Sequence, residues 1–170
     1  MSPSTTQPTE TAGTGGQILA IDYGRTRIGL AIADAQHGVA QPLATLERIN
    51  RNEDMRRLRE LARDHSVKFV VVGLPLRLDG TRGEMAEEAE RFAQRVRKQM
   101  GVPVEMADER LTSWEAERQL EEQFGRKSKL TDSASKKKLV ERVSVDSMAA
   151  AIILRDYLER RTPASEGVAE

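Results

Sequence analysis

Short apolar segments at the start of the folded part of the chain predict three strands. Gln17–Asp22, QILAID, and Arg27–Asp34, RIGLAIAD, are separated only by a turn that contains Gly24. Two strands this close in sequence most simply form an antiparallel hairpin. Ala44–Ile49, ATLERI, alternates weakly between apolar and polar residues and predicts a third strand beside them.

Further along the chain, predicted strands and helices alternate. The apolar run Val67–Leu74, VKFVVVGL, is typical of a strand covered on both faces, and Val102–Ala107, VPVEMA, predicts a fifth strand. Helical spacing, or in one case a Thr-x-x-Glu capping box, predicts four helices, which are Asp54–Asp64, Glu84–Met100, Thr112–Phe124 and Ser144–Arg160. The predicted buried stripe of the last helix consists of Val145, Met148, Ala149, Ile152, Ile153 and Tyr157.

The order of these elements, β-β-β-α-β-α-β-α-α, predicts an α/β fold. Three adjacent antiparallel strands followed by strand–helix alternation give a mixed five-stranded sheet, with its later strands parallel and with helices on its faces. The predicted domain covers residues 17–161. Residues 1–16 and 162–170 contain no large apolar cluster that could offset their ordering entropy, so they are predicted to be disordered tails.

Composition and charge exclude several classes of protein. The chain has no cysteine, which excludes a disulfide scaffold and a thiolate zinc site. No apolar run approaches the roughly 20 residues that a membrane span needs, so a soluble, cytoplasmic protein is predicted. The 27 basic and 27 acidic residues cancel, but basic residues concentrate between Gly125 and Arg142. That segment is either a solvated face or a contact surface for phosphates.

Acidic residues stand at the ends of two predicted strands and at the start of the last helix. Asp22 ends the first strand, Asp108 and Glu109 follow the fifth, and Asp146 opens the last helix. Each has an ordinary structural interpretation, as a turn residue or as a partner of a helix dipole. However, α/β folds place their sites at strand ends, and carboxylates that converge repel one another unless a cation such as Mg²⁺ or Mn²⁺ binds among them.

Four segments, taken in this order, resemble the YqgF/RuvX family of bacterial proteins, which are relatives of the RuvC resolvases within the RNase H-like fold. They are ILAIDYGRTRIGLAIAD, VVVGLPLRLDGTRG, DERLTSWEAE and VDSMAAAIIL. The similarity extends from about Ile18 to Leu158, and DERLT and the Gly-Leu-Pro…Asp-Gly loop are its specific motifs. Members of this family are associated with cleavage at the 5′ end of pre-16S rRNA and with resolution of Holliday junctions.

The resemblance implies an RNase H-like nuclease that depends on a divalent metal and processes the 5′ end of pre-16S rRNA in ribosome biogenesis. It implies that Asp22, Glu109 and Asp146 are the catalytic, metal-binding residues, with Mg²⁺ or Mn²⁺ as the cofactor. Asp108 belongs to the same motif as Glu109. Because neighbours on a strand face opposite sides, only one of the two is expected to face the metal, and the choice between them stays open. Whether one or two metals bind also stays open.

Basic residues near these acids are expected to attract the nucleic-acid backbone without reading its sequence. The candidates are Arg25, Arg27, Arg110, Arg126, Lys127, Lys129, Lys136, Lys137 and Lys138. No motif distinguishes a structured RNA precursor from branched DNA as the substrate. A homodimer is left open, although a junction cutter would need two sites related by symmetry.

Two other classes of function are weighed against the nuclease. Phosphotransferases of the actin and sugar-kinase type also carry Asp-x-Gly after a first strand, but they clamp ATP between two such domains, and this chain has only one. A non-catalytic assembly factor that binds nucleic acid would keep the fold without the activity. Cut product in the presence of divalent metal would separate the nuclease from that factor.

Overall fold

The computed structural model describes residues 15–77, 79–109 and 145–161. The predicted helix Thr112–Phe124 and the basic segment that follows it lie outside the described residues. So do the predicted tails, apart from Gly15 and Gly16. The carbonyl oxygen of Gly16 accepts a hydrogen bond from Ala35 N (3.1 Å), directly before the first strand begins.

A five-stranded mixed sheet forms the centre of the domain, as predicted. Its strands are β1 (Gln17–Tyr23), β2 (Arg27–Asp34), β3 (Gln41–Glu47), β4 (Val67–Leu74) and β5 (Val104–Asp108), and their order across the sheet is β3-β2-β1-β4-β5. The first three strands are antiparallel neighbours, and β4 and β5 run parallel to β1. The register places Asp22 opposite Gly29 on β2, and Ile21 beside Val72 on β4. The end of β1 therefore lies in the middle of the sheet.

Two helices cover one face of the sheet. They are α1 (Arg51–Asp64) and α2 (Glu84–Met100). The strand residues on this face, such as Leu19, Ile21 and Val70, are fully buried with Leu58 and Phe92 of the two helices. Since side chains alternate along a strand, the residues between them face the other side of the sheet.

A third helix, α3 (Val145–Arg161), covers that other face. Ile18, Ala20 and Val71 of the sheet are buried there against Ala150 and Leu154. None of the helices in the described ranges is long and apolar enough to cross a membrane.

The predicted buried stripe of α3 is wrong in part. Val145, the first residue of the helix, is 78% exposed. The buried residues of α3 are Ser147, Ala150, Ala151, Ile152, Ile153 and Leu154, so the prediction is confirmed for Ile152 and Ile153. Ser147, Ala150 and Ala151 are buried although they lie outside the predicted stripe, because the helix lies close against small residues of β2, which include Ala31 and Ala33.

Other element boundaries differ by a few residues from those predicted. Strand β3 begins at Gln41 rather than Ala44, and β5 begins at Val104 and extends to Asp108. Helix α1 begins at Arg51 rather than Asp54, since the Asn50 side chain accepts a hydrogen bond from Glu53 N (2.9 Å) and caps the helix.

Candidate active site

Asp22 and Glu109 form the centre of the candidate site. Asp22 lies one residue before the end of β1, on the sheet face that α3 covers, and Glu109 directly follows β5. The two carboxyl groups are joined by a hydrogen bond, although they are far apart in sequence. The parallel strands β1, β4 and β5 end at the same edge of the sheet, and this brings the two acids together.

The orientation of β5 distinguishes Glu109 from its neighbour Asp108. In the register of β4 and β5, Ala107 lies beside Gly73 and Asp108 beside Leu74. Ala107 packs on the α3 side of the sheet, so Asp108 lies on the opposite side of the strand. Glu109, one residue further, forms a hydrogen bond with Asp22, and the charge of Asp108 contributes to the raised pKa of Glu109.

Burial of this pair has a strong electrostatic effect. Burial raises the pKa of Asp22 from 3.8 to about 6; the nearby charge of Asp146 also raises it, and the hydrogen bond with Glu109 opposes the rise. Burial, followed by the charge and the hydrogen bond of Asp22, raises the pKa of Glu109 from 4.5 to about 8. At neutral pH the two carboxyl groups therefore share one proton in the hydrogen bond between them.

Asp146 lies in the first turn of α3, within electrostatic range of Asp22. Its carboxylate forms an ion pair with Arg27, with 3.5 Å between Oδ2 and Nε, and its side chain is 33% exposed. Within residues 15–77, 79–109 and 145–161, no three acidic or histidine side chains come close enough together to hold a metal ion. The site therefore consists of two acids in contact and a third beside them.

These residues fit a divalent cation in their chemistry. Mg²⁺ and Mn²⁺ prefer carboxylate oxygens, which all three acids supply. Burial makes the negative charges of Asp22 and Glu109 costly and raises both pKa values, and a bound cation would offset this cost. Asp146 is already paired with Arg27.

Two of the nine predicted phosphate-binding residues lie in the described part of the chain. Arg25, in the turn between β1 and β2, forms ion pairs with Glu88 (2.9 Å) and Glu84 (3.4 Å) of α2, and its side chain is 57% exposed. Arg27 pairs with Asp146 and is 59% exposed. The other seven, Arg110, Arg126, Lys127, Lys129, Lys136, Lys137 and Lys138, lie outside the described residues.

Comparison with known proteins identifies the family of the chain. The RuvX family model, described as Holliday junction resolvase, matches residues 16–160. A protein of Anaeromyxobacter dehalogenans with the provisional name pre-16S rRNA nuclease is 44% identical over 147 residues, covering 86% of this chain and 99% of that protein. A Koribacter versatilis protein with the same provisional name is 42% identical over 146 residues, covering 86% of this chain and 88% of that protein.

Among solved structures, RuvC of Thermus thermophilus shares the fold, with a TM-score of 0.53 at 17% identity over 85% of this chain and 95% of that one. This likeness confirms the RNase H-like fold that the sequence predicts. The family match over residues 16–160 and the relatives at 42–44% identity show that the chain is a nuclease of the RuvX family.

Proposed function

We propose that this nuclease cuts phosphodiester bonds at the 5′ end of pre-16S rRNA, with Asp22, Glu109 and Asp146 holding a divalent cation. The observation that carries the proposal is the buried, hydrogen-bonded pair of Asp22 and Glu109 at the end of the parallel strands. A pair of acids whose pKa values are both raised by burial is costly to bury, and proteins place such pairs where a cation or a reaction needs them.

In this proposal, Asp22 and Glu109 are the principal ligands. Asp146, which pairs with Arg27 in the structure, would have to move closer to them to join the ligand set from α3. Asp108, on the other side of β5, serves at most as the alternative to Glu109. When bound, Mg²⁺ or Mn²⁺ supplies Lewis-acid chemistry, because it polarises the scissile phosphate and lowers the pKa of water. Glu109 must release its proton to become a ligand, so binding of the cation and ionisation of the pair are linked.

Arg25 and Arg27 are positioned to attract the phosphate backbone. Both lie at the β1–β2 turn, next to Asp22 in sequence, and both side chains are more than half exposed. Their ion pairs with Glu88 and Asp146 are surface pairs, which cost little to exchange for a phosphate. The pre-16S rRNA substrate is proposed from the names of the relatives at 42–44% identity, and such a substrate implies action in the cytoplasm.

A cleavage assay over a panel of substrates tests the proposal. The full chain is incubated with an RNA that spans the 5′ end of mature 16S rRNA and its leader, with duplex DNA and with a four-way DNA junction, each in Mn²⁺ and in EDTA. The proposal predicts cut RNA in Mn²⁺ and intact RNA in EDTA. Product from the junction alone would reassign the substrate, and tight binding of RNA without any cut would favour the non-catalytic assembly factor.

A further inference from the structure

Glycines stand on both sides of Asp22 in the sheet. Gly29 of β2 lies directly opposite Asp22. On β4, Val72 pairs with Ile21, so the next residue, Gly73, lies beside Asp22. Both positions face α3, because Ala31 and Val71, two residues away on the same strands, are buried against that helix. The sheet surface around Asp22 therefore carries no side chain on either neighbouring strand.

The space above Gly73 is occupied by Glu109. A Cβ atom on residue 73 would overlap the Glu109 Oε1 atom and would lie 2.8 Å from Cδ1 of Ile153 and 3.0 Å from Cδ of Glu109. Real Cβ atoms do not come this close to other heavy atoms. Glu109 reaches Asp22 across the place that a side chain on β4 would fill.

The space above Gly29 is occupied by the first turn of α3. A Cβ atom on residue 29 would overlap the carbonyl group of Asp146 and would lie 3.0 Å from the Asp146 Cβ atom. A backbone carbonyl within a helix cannot rotate away as a side chain can, so the helix itself would have to move. The closeness of α3 to β2 thus depends on the missing side chain at residue 29.

We propose that Gly29 and Gly73 are positioning residues of the nuclease site, which bring Asp146 and Glu109 up to Asp22. Gly73 sets the position of Glu109 directly, and Gly29 sets the position of Asp146 through the first turn of α3. A methyl group at either position moves one acid away from Asp22 while leaving all three acids in the chain. This inference rests on the proposed function, because it assumes that the three acids act together.

Gly73→Ala is the sharper test, since the added methyl group meets the ends of the Glu109 and Ile153 side chains rather than backbone atoms. Gly16→Ala is its matched control, because a Cβ on Gly16 would also clash with a side chain, with the Lys68 Cβ atom 2.8 Å away, but at the opposite end of β1 from Asp22. For each full-length variant, we would measure the melting temperature in EDTA, its increase in Mn²⁺, and kcat and KM for the RNA that the parent cuts.

For Gly73→Ala we expect a melting temperature in EDTA close to that of the parent, loss of most of the Mn²⁺-induced increase, and a kcat roughly 100-fold lower at an unchanged KM. Gly16→Ala should have a lower melting temperature in EDTA, because the Lys68 Cβ atom cannot rotate away, but it should keep the Mn²⁺-induced increase, the kcat and the KM of the parent. A purely structural role for Gly73 would instead lower the melting temperature in EDTA and leave the Mn²⁺-induced increase intact, and that result would overturn the inference.

Gly29→Ala should show the same loss, with a lower melting temperature because α3 must shift. If this variant does not fold, the Gly73→Ala results decide the inference. Failure of the inference also differs from failure of the proposed function. If only the inference fails, the parent cuts RNA and gains stability in Mn²⁺, and Gly73→Ala does both equally well. If the proposed function fails, the parent neither cuts RNA nor gains stability in Mn²⁺, and the inference fails with it.

Discussion

At the scale of single residues, the proton held between Asp22 and Glu109 dominates the site. Burial makes ionisation of either carboxyl costly, and the charge of one raises the pKa of the other. Asp146 adds to the negative potential and is partly compensated by Arg27. A divalent cation would remove this cost from all three acids at once.

Substitution of the two neighbours at the end of β5 tests which of them is the ligand. Glu109→Gln should lower the cleavage rate by roughly 100-fold or more, because a neutral amide is a poor ligand for Mg²⁺ or Mn²⁺. Asp108→Asn, the matched control on the other side of the strand, should retain most of the activity. Single-turnover cleavage rates in Mn²⁺ check this. A greater loss from Asp108→Asn than from Glu109→Gln would reverse the assignment.

Asp146→Asn separates a ligand from a residue that only begins a helix. If Asp146 is a ligand, Asp146→Asn should lose cleavage and the Mn²⁺-induced increase in melting temperature. Its melting temperature in EDTA should not fall, because removal of the charge relieves repulsion with Asp22. Glu159→Gln, at the far and exposed end of α3, is the control. Retained cleavage with an unchanged Mn²⁺ effect would remove Asp146 from the site.

The sequence identifies the acids of the site more readily than the residues that position them. Asp22 and the Asp108–Glu109 pair can be identified because they stand at the ends of apolar strands, and the end of an apolar strand can be recognised from a single sequence. The choice of Glu109 over Asp108 depends on how β5 is oriented beside β4, which no local pattern encodes. Gly29 and Gly73 are harder still, since a glycine within a strand has meaning only once its neighbours across the sheet are known.

At the scale of elements, a buried ion pair fixes the connection between β3 and α1. The Asp54 side chain is 2% exposed and accepts hydrogen bonds from Ile49 N (3.0 Å), Arg48 Nε (3.1 Å) and Arg57 Nη2 (3.3 Å). Burial alone would raise the pKa of Asp54, but these three donors together lower it. Arg48 also donates to the hydroxyl of Tyr23, which ties this connection to the end of β1.

Asp54→Ala should therefore destabilise the fold by about 3–5 kcal/mol, because it leaves Arg48 without its principal partner in a largely buried position. Glu60→Ala is the matched control on the same helix. It removes an exposed ion pair with Arg56 and should cost less than about 1 kcal/mol. Chemical denaturation measures both free energies of unfolding. Equal losses of unfolding free energy in the two variants would mean that the buried Asp54 contacts stabilise the fold no more than an exposed ion pair does.

Helices and strands could be predicted from the sequence because their apolar spacing is local. All five strands and the helices α1, α2 and α3 were predicted within a few residues of their bounds. The start of α1 was placed too late because Asn50 caps the helix before its first apolar residue, Met55. The buried face of α3 can be predicted only in part, since the close approach of the helix to small residues of the sheet also buries Ser147, Ala150 and Ala151.

At the scale of the whole molecule, the raised pKa values predict how stability depends on pH. The folded metal-free protein binds more protons at Asp22 and Glu109 than the unfolded chain does, so their contribution to stability is complete below about pH 4 and is lost as the pH rises through about 6 and about 8. Glu109→Gln should therefore be more stable than the parent at pH 8.5, with a smaller difference at pH 5.

Melting temperatures in EDTA across this range check the prediction. Glu84→Gln serves as the control, because the Glu84 side chain is 87% exposed and its variant should follow the parent at every pH. Mn²⁺ should remove most of the destabilisation of the parent at high pH. If the melting temperatures of the parent and of Glu109→Gln were equal at every pH, the pKa of Glu109 would not be raised in the folded protein.

The basic segment outside the described residues is predicted to contribute affinity for nucleic acid. Replacing Lys136, Lys137 and Lys138 with Ala should weaken RNA binding, and each lost phosphate contact should reduce the slope of log K against log salt by roughly 0.7 for single-stranded and 0.9 for double-stranded nucleic acid. Titrations at several salt concentrations measure the slope. An unchanged slope would mean that these lysines belong to a solvated surface.

The central claim is that metal-dependent cleavage depends on the Asp22 carboxylate, and one measurement tests it most directly. We would compare the single-turnover cleavage of the pre-16S leader RNA in Mn²⁺ by the parent, by Asp22→Asn and by Asp34→Asn. Asp34 is a matched control, because it also ends a strand but caps an exposed turn by accepting hydrogen bonds from Gln36 N and His37 N. We predict parental rates for Asp34→Asn and a rate at least roughly 100-fold lower for a fully folded Asp22→Asn. Cleavage at the parental rate by a folded Asp22→Asn protein would contradict the claim.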